Sequence, residues 1–564
     1  MASLRGRMSS LSATPTRSRA AVPSWLRTAA PGLLAAALAA VYLVWEPASI
    51  DLAAAEYRSW LFGREGLALY DLQWYGGHHM PGYSALFPPL GWLLGPRLLG
   101  ALCAVASAVL FERLARGRYG QHAWLGSLWF AGGTATILLS GRLTFGLGLV
   151  FALGALLAIE RGRAARTAHR RHVLTAVALG LAVLTALASP VAAIFLAMAA
   201  TAYAVADPLP RPLRLRAALT ERRLIGLGVA AATVAPVGVA AIAFPEGGVE
   251  PFVVSAYWPV LAVAAAALWL VPREQRALRA GVVLYALGCT AAFVLDTPVG
   301  GNSARLGALC AGPLFALVLW PRRRVVLALI ALPLLFWQWT SAYHDVRAAN
   351  GDPSVDAAFY APLNAFLDRA EARGEIGRVE IPFTKLHWES RHVAPTHELA
   401  RGWERQLDHK VNPLFYDGEL TSARYREWLD EMAVRWVALP DTRFDYSARA
   451  EARLVASGLP YLREAWSGGG WRVYAVEDPT PLVSGPARIV ALGSDSVTLD
   501  VARPATLHLR MHWTPYWALA KGDGCVAPDG GEQTQVHVRR AGEVRLVTRF
   551  AIGRIAAQSP RCTG

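Results

Sequence analysis

Charged residues are scarce in this sequence. Asp, Glu, Lys and Arg form 17% of its 564 residues, whereas soluble domains contain about 25%. Hydrophobic residues form 54%, and the runs 31–45 and 224–244 approach the roughly 20 apolar residues that cross a bilayer. This composition excludes a wholly soluble protein. It predicts a polytopic α-helical membrane protein that has the lipid bilayer as a partner.

Acidic residues are outnumbered by basic ones, and a net charge of +15 would suit a nucleic-acid-binding protein. The arginines are placed unevenly, however. There are 24 in one set of segments, which are 1–30, 112–122, 160–172, 207–223, 272–279 and 320–324, and only 4 in the loops that alternate with them. This asymmetry follows the positive-inside rule, so no nucleic-acid partner is predicted. We expect a multi-pass protein of the cell (cytoplasmic) membrane with a cytosolic N-terminus and an extracytoplasmic C-terminus.

Eleven apolar stretches are long enough to be read as spans, and they divide the chain into four regions. A disordered cytosolic tail is predicted at 1–30, a transmembrane domain at 31–339, an extracytoplasmic α/β domain at 340–478 and an extracytoplasmic β-sandwich at 479–564. The predicted spans are 31–46, 90–111, 123–140, 143–159, 173–188, 191–206, 224–244, 252–271, 280–295, 306–320 and 325–339.

Cysteine and lysine are both rare. There are five cysteines, and no CxxC or Cys/His metal spacing occurs. Cys525 and Cys562 lie in the polar C-terminal region, and in an oxidising compartment they are expected to form a disulfide, the alternative being two free thiols. Only three of the 56 basic residues are lysine, a bias typical of a high-GC bacterium.

The spans also lack ionisable residues in their apolar interiors, with Arg97 near the start of one span as the exception. Ion-coupled transporters normally need such groups at mid-membrane, so a channel or coupled transporter is disfavoured. Polar residues are concentrated instead in the outer loop 46–89, which is too aromatic for a disordered segment. Asp51 follows the first span in this loop, within the helical stretch IDLAAAEYRSW.

Asp51, the long first outer loop, the eleven or so spans and the C-terminal outer domain together resemble the GT-C superfamily of integral-membrane glycosyltransferases, here of a bacterial, actinobacterial type. The resemblance implies a polyprenyl-phosphate sugar as donor, a cell-envelope glycan or lipid as acceptor, and inversion at the anomeric carbon. Asp51 is the matching position for the general base. A carboxylate in hydrogen-bond reach of a sugar hydroxyl can take its proton during attack.

The departing lipid phosphate needs positive charge at the interface. Arg58, Arg142 and Arg305 are the outer-face candidates, although the last two lie in short loops from which a charge could simply extend to water. Asp51 could likewise be an ordinary helix N-cap.

Asp71, His78 and His79 complete the candidate substrate-binding residues. Asp71 could serve as a second acid or bind a metal ion, so Mg²⁺ or Mn²⁺ is a candidate cofactor. His78 and His79 are adjacent, so their side chains diverge and cannot chelate one ion together. No resident metal-ligand set is predicted.

Two functions follow from these observations. The first is an inverting membrane glycosyltransferase with Asp51 as base. The second is a non-catalytic membrane protein whose outer domains bind envelope glycan or a partner protein. A lipid-open cavity containing Asp51 with an arginine across it would favour the enzyme, and an Asp51 on the protein surface would favour the binding protein.

Overall fold

The computed structural model describes residues 24–207 and 219–563. A helical bundle comes first and two sheet-containing domains follow it. The helices of the bundle are α1 (Ser24–Trp45), α2 (Ile50–Glu65), α3 (Phe87–Leu94), α4 (Pro96–Tyr119), α5 (Trp124–Leu139), α6 (Leu143–Arg163), α7 (Ala168–Ala188), α8 (Pro190–Val205), α9 (Glu221–Ala243), α10 (Val254–Leu270), α11 (Arg276–Val294), α12 (Ala304–Leu319) and α13 (Arg324–Ala349).

Each of the eleven predicted spans coincides with an apolar helix of the bundle. Among the described residues, eight helical stretches are long and apolar enough to cross a membrane, by length and composition, and one of them, Pro96–Leu139, contains both α4 and α5. Two further apolar helices, Pro190–Val205 and Val254–Leu270, are shorter. Together with the sheet-rich C-terminal region, this confirms the predicted fold class of a polytopic helical membrane protein with C-terminal extramembrane domains.

Two contacts between helix ends identify the two ends of the bundle. At one end of the bundle, Arg142 Nη2 donates a hydrogen bond to Ser341 Oγ at 2.7 Å. At the other end, the Tyr119 hydroxyl donates to Gln275 Oε1 at 2.7 Å. The C-terminal domains follow α13 at the first end, which we call the domain side. The second end carries the arginine clusters and is called the Arg-rich side.

Local sequence signals account for several helix ends. Ser189 separates α7 from α8 because its hydroxyl accepts a hydrogen bond from the amide of Ala192, while Pro190 supplies the fixed φ that suits a first helical position. Gly95, at φ +80°, separates α3 from α4. The span predicted at 90–111 therefore begins only at Pro96, and α3 is a separate short helix packed against α2.

The bundle differs from the sequence predictions at its two ends. Helix α1 begins at Ser24, so the last residues of the predicted tail 1–30 are helical, and residues 1–23 of that tail lie outside the described residues. Helix α13 continues to Ala349, ten residues beyond the predicted end of the span. Its last turns therefore form part of the domain side, where they line cavities.

The first C-terminal domain is built around a four-stranded sheet. The order of its strands is β3-β4-β6-β5, with β3 and β4 parallel and the other pairs antiparallel. Tyr425, Trp428, Val437 and Leu439 are buried in its core. The elements of this domain are α14 (Ala357–Ala372), β3 (Arg378–Glu380), α15 (Glu389–His392), α16 (Arg405–Val411), α17 (Ser422–Glu431), β4 (Val434–Pro440), α18 (Arg449–Ala456), β5 (Leu462–Gly468) and β6 (Trp471–Val476).

The second C-terminal domain is a β-sandwich. One sheet has the order β15-β12-β13-β10-β7 and the other β11-β14-β9-β8. Alternating residues of both sheets form a shared apolar core, and a disulfide joins Cys525 to Cys562 on the paired strands β12 and β15. The strands are β7 (Val483–Ser484), β8 (Ala487–Leu492), β9 (Ser496–Val501), β10 (Ala505–His512), β11 (Trp517–Lys521), β12 (Gly524–Pro528), β13 (Gln533–Val538), β14 (Gly542–Thr548) and β15 (Arg561–Cys562).

The loop 46–89 connects the bundle to both domains. After α2 it forms a short antiparallel hairpin of β1 (Tyr70–Asp71) and β2 (His78–His79). The Tyr70 hydroxyl donates to the His512 carbonyl of the sandwich at 2.8 Å, and Leu72 belongs to the core of the sandwich. The loop is therefore an ordered structural element that fixes the β-sandwich to the membrane helices.

Candidate functional site

A cavity of about 640 Å³ lies on the domain side, between the bundle, the loop 46–89 and the α/β domain. Its walls combine apolar helix surface with ionisable side chains from six separate parts of the chain. The ionisable residues that line it are Asp51, His79, Tyr83, Arg142, Glu246, Glu250, Arg305, Asp345, Glu404, Arg405 and Lys410.

Asp51 is the second residue of α2 and faces this cavity. The helix begins after Ser49, which occupies the N-cap position, so Asp51 is not the cap and its carboxylate is free of that role. The following turn buries Leu52, Ala53 and Ala54 against the bundle. Since that packing fixes the first turn of α2, the carboxylate is held at the cavity wall with 23% of its side chain exposed.

Gly141 brings the loop between α5 and α6 against the start of α2. Its φ is +68°, and a Cβ atom there would lie 2.5 Å from the Leu52 amide nitrogen and 2.6 Å from Ser49 Oγ. Only glycine fits this close approach without displacement, and only glycine adopts the positive φ at no cost. The next residue, Arg142, reaches the cavity beside Asp51 as a result.

Two guanidinium groups flank the Asp51 carboxylate. Arg142 Nε is 3.9 Å and Arg305 Nη2 is 3.6 Å from the same oxygen, Oδ2. Both distances are ion-pair distances that exceed the usual length of a hydrogen bond. The Nε atoms of both arginines are buried and have no hydrogen-bond partner among the described residues. Hydrogen bonds within the described part of the protein therefore do not saturate these two guanidinium groups.

A second carboxyl group, Glu250, lines the cavity near this cluster. Its loop is held by the Glu250 amide, which donates to the Thr297 carbonyl at 3.0 Å, and by Gly300, where a Cβ would overlap the Glu250 carbonyl oxygen. Burial raises the pKa of Glu250 to about 7, against the opposing effect of Arg305. Near neutral pH this group is therefore partly protonated and can exchange a proton.

His79 forms a hydrogen-bonded link at the rim of the cavity. Its Nδ1 atom is 2.9 Å from Glu246 Oε1, and its Nε2 atom is 3.0 Å from Thr514 Oγ1 in the β-sandwich. Burial opposes ionisation of Glu246, but the hydrogen bond to His79 outweighs it and the pKa of Glu246 is lowered. This link joins the loop 46–89, the α9–α10 loop and the sandwich.

Arg58 lies two helical turns beyond Asp51 and outside the cavity. Its guanidinium forms a buried ion pair with Glu404 and stacks over the Tyr83 ring at 3.9 Å. Burial lowers the pKa of Arg58. Because Glu404 and Tyr83 both line the cavity, Arg58 positions two wall residues and does not itself face a ligand.

Asp71 and His78 also lie outside the cavity. Asp71 is fully buried and accepts hydrogen bonds from the Tyr57 hydroxyl at 2.9 Å and the Gln73 amide at 3.1 Å, and burial raises its pKa to about 7. His78 stacks on Trp74 with ring centroids 5.4 Å apart, and burial lowers its pKa to about 4. As the strand alternation predicts, the two histidines point to opposite sides.

The cavity does not fit a divalent cation. Within residues 24–207 and 219–563, no group of three or more His, Cys, Asp and Glu side chains is close enough together to hold a metal ion. The Asp51 carboxylate is already flanked by two guanidinium groups, which would repel a cation. Positive charge for a ligand comes from the arginines.

The α/β domain contributes wall residues that the sequence did not reveal. Trp403, Glu404, Arg405 and Lys410 come from the segment that includes α16. No local motif marks them, although Lys410 is one of only three lysines in the chain. Their role depends on the docking of a segment some hundreds of residues from Asp51, which periodicity does not encode.

The fold and the cavity define a polytopic membrane protein whose ionisable cavity lies between its helices and a C-terminal domain. Among solved structures, the chain is similar to the crystal structure of the Archaeoglobus fulgidus oligosaccharyltransferase in the apo form. The TM-score is 0.45 and the identity 11%, over 74% of this chain and 70% of that chain. No family model matches the chain, and none of the curated proteins matches it.

Proposed function

We propose that this protein is an inverting membrane glycosyltransferase that takes a sugar from a polyprenyl-phosphate donor, with Asp51 as the general base. The observation that carries the proposal is the position of Asp51 at a cavity wall between Arg142 and Arg305. The base serves the acceptor hydroxyl, which forms the new bond, and the two cations serve the phosphate, which leaves as the old bond breaks.

In this reaction an acceptor hydroxyl attacks the anomeric carbon, the bond from that carbon to the phosphate oxygen breaks, and the phosphate leaves with the electron pair. Asp51 takes the hydroxyl proton as attack proceeds. Arg142 and Arg305 stabilise the charge that develops on the phosphate, because guanidinium groups bind phosphate with charge-assisted hydrogen bonds. Both functions use atoms that the protein leaves partly unsatisfied.

The walls suit substrates that have an apolar and a polar part. Pro190, Ile194 and Val237 from α8 and α9 provide apolar surface toward the membrane. Lys410 and Arg405 from the α/β domain provide polar surface on the opposite wall. A lipid chain between the helices and an envelope glycan or lipid acceptor beside the α/β domain fit this division.

The test is Asp51→Asn in the full-length protein, assayed by transfer from a labelled polyprenyl-phosphate sugar to membrane acceptors. The exchange keeps the size of the side chain and removes its basicity, so transfer should fall roughly 100 to 10,000-fold. Glu65→Gln is the matched control, because Glu65 lies at the other end of α2 and outside the cavity. Near-normal transfer by Asp51→Asn would overturn the base assignment.

The same assay separates the enzyme from the non-catalytic alternative. If the unmutated protein transfers sugar from no polyprenyl-phosphate donor but binds envelope glycan, the protein is a binding protein and the cavity residues are not catalytic. Labelled sugar that reaches an acceptor only when the protein carries Asp51 supports the enzyme.

We also propose that the domain side faces away from the cytosol, since the arginine clusters lie on the opposite side. A reporter enzyme that is active only outside the cytosol should be active when fused at the C-terminus. Thiol labelling of the denatured, non-reduced protein should find Cys103, Cys289 and Cys310 and should miss the Cys525–Cys562 pair. A reporter active in the cytosol would reverse the orientation.

A further inference from the structure

A second cavity of about 640 Å³ opens on the domain side, where the last turns of α13 meet the α/β domain. His344 and Arg347 enter it from the helix, while Lys385, Arg443 and Arg449 enter it from the α/β domain. This cationic cleft is separate from the cavity of Asp51. Asp345, the neighbour of His344 on α13, faces the first cavity, so the helix separates the two.

The positive charge of the cationic cleft is mostly uncompensated. Arg443 is paired with Asp352 at 3.3 Å and donates to the carbonyls of Ala348 and Asn350. Within the described part of the chain, none of the other cations of the cleft forms an ion pair. Several like charges around one cavity repel one another, and a bound anion would relieve that repulsion.

The length of α13 places the cationic cleft at the surface of the membrane. The helix begins at Arg324 on the Arg-rich side, and His344 lies 20 residues further on, about 30 Å at 1.5 Å per residue. That rise equals the roughly 30 Å thickness of the hydrocarbon core. His344 and Arg347 therefore lie at the level of the lipid headgroups on the domain side.

One face of α13 leads from the lipid to the cationic cleft. Leu329, Leu332 and Phe336 are between 73% and 75% exposed, and Tyr343 is 58% exposed. Their spacing of three, four and seven residues, followed by Arg347 four residues later, keeps these side chains along one side of the helix. An acyl chain lying on this face would bring its headgroup to Arg347.

We propose that the cationic cleft binds the phosphate of an anionic membrane lipid from the leaflet on the domain side. Phosphate is favoured because arginine and lysine together bind its oxygens with charge-assisted hydrogen bonds. The membrane is favoured as its source because the cleft opens directly above a lipid-facing helix surface. This binding is independent of the proposed glycosyl transfer. Because the lipid contacts both α13 and the α/β domain, it holds the domain against the bundle.

The test measures which lipids remain bound to the full-length protein. Protein in nanodiscs of equal parts phosphatidylcholine and phosphatidylglycerol is extracted into mild detergent, and its retained lipid is measured by native mass spectrometry. The unmutated protein should retain phosphatidylglycerol in preference to phosphatidylcholine. The double variant Arg347→Ala/Lys385→Ala should lose at least about tenfold of that preference, because each cation near a lipid surface contributes about fivefold.

Two controls keep the result specific. Arg503→Ala removes an exposed cation of the β-sandwich that lies outside the cleft and should leave the preference unchanged. Arg347→Lys keeps the positive charge and should retain most of the preference for phosphatidylglycerol. Equal preference in the double variant and the unmutated protein, with the same gel-filtration profile, would overturn the proposal.

A further arm distinguishes a lipid from a free anion. In lipid-free detergent, inorganic phosphate at 1 to 10 mM should raise the unfolding temperature less than phosphatidylglycerol does, because it lacks the acyl chains that lie on α13. If inorganic phosphate protects equally well and the double variant abolishes its effect, the cleft is a site for a soluble anion and the membrane source is wrong.

Discussion

Two arginine–carboxylate clusters in this molecule use the same chemical groups in opposite ways. In the α/β domain, Arg401 is 2% exposed, donates to Asp408 at 3.0 and 2.6 Å and to Glu451 at 3.2 Å, and lies between two phenylalanine rings. At the cavity, Asp51 is 3.6 and 3.9 Å from its two arginines. The first cluster is closed by hydrogen bonds, whereas the second leaves room for an anion.

The difference shows how geometry separates structural from functional charge. A buried ion pair contributes to stability only when hydrogen bonds satisfy its remaining atoms. Arg401, Asp408 and Glu451 meet that condition, whereas the two oxygens of Glu380, the third carboxyl group of the cluster, have no hydrogen-bond partner. The Asp51 cluster has longer distances, unsatisfied Nε atoms and partial exposure, so its arrangement is better explained by a ligand than by folding.

Arg401→Met should be the most destabilising of the changes considered. It leaves the buried carboxylates of Glu380, Asp408 and Glu451 without their cation, and removal of one partner of a buried ion pair costs about 3–5 kcal/mol. Thermal unfolding and limited proteolysis of the full-length protein would measure the loss. Arg305→Met, at the open cluster, should change the unfolding temperature much less, and equal destabilisation by both would erase the distinction drawn above.

Gly141→Ala should damage both stability and the proposed activity. The added Cβ overlaps the Leu52 amide and Ser49 Oγ, and the positive φ is unfavourable for alanine, so we expect a cost of about 1–3 kcal/mol. Displacement of Asp51 and Arg142 should lower transfer more than tenfold. Gly132→Ala is the control because its Cβ would meet open space. A normal transfer rate with Gly141→Ala would show that the contact between the loop and α2 does not position the base.

Arg142→Ala and Arg305→Ala should each weaken use of the donor by about 10 to 100-fold, the worth of a hydrogen bond to a charged group. The measurement is kcat/KM for the donor, obtained from transfer rates at varied donor concentration. The rate of the unmutated protein, less that of Asp51→Asn, is the reference. Arg64→Ala, at the far end of α2 with 65% of its side chain exposed, serves as the control. Unchanged donor dependence in both cavity variants would mean that the phosphate binds elsewhere.

Glu250→Gln should have the smallest effect, which is on how the donor KM depends on pH. Because burial raises the pKa of Glu250 to about 7, the carboxyl gains a negative charge as the pH rises through 7. An anionic donor nearby should then bind about fourfold more weakly, the repulsion of one charge at roughly 5 Å in a water-like medium. The donor KM between pH 6 and 8 should rise in the unmutated protein and stay flat in Glu250→Gln.

Ionisation of Glu250 should also lower the stability of the protein as the pH rises. The pKa of the folded state is raised to about 7, above the unfolded value of about 4.3. The favourable contribution is therefore fully present below about pH 4.3 and is lost progressively as the pH rises from there to about 7. Unfolding temperatures between about pH 4 and 7 should fall less steeply for Glu250→Gln. An identical pH profile for both proteins would show that Glu250 is ionised throughout.

The apolar helices could be predicted from sequence because each is bounded by a local signal, such as the Arg cluster 322–324 or the pair Ser189 and Pro190. The resemblance to the GT-C superfamily selected Asp51, and the scarcity of cations outside the Arg-rich loops selected Arg142 and Arg305. The structure brings these three residues together. Their catalytic and binding roles stay predictions. Scarcity is a useful signal because it is visible without a structure.

The remaining site residues could not be predicted because they depend on docking between distant segments. Arg58 came from the same reasoning as Arg142, but Glu404 of the α/β domain covers it. Asp71 is enclosed by Tyr57. No local pattern marks Glu250, because its raised pKa comes from burial in the packed chain, close to Gly300 and Arg305. These surroundings are properties of the packed chain and not of a local pattern.

The contribution of the α/β domain to the cavity wall has a consequence for biosynthesis. Asp51 enters the membrane early, but the wall formed by Trp403, Glu404 and Arg405 is translated some 350 residues later, roughly 18 to 70 s at 5–20 residues per second. During that interval the nascent chain has Asp51 and its two arginines without the wall that encloses them. A complete cavity can therefore form only after the α/β domain has left the ribosome, reached the domain side and folded onto helices already inserted.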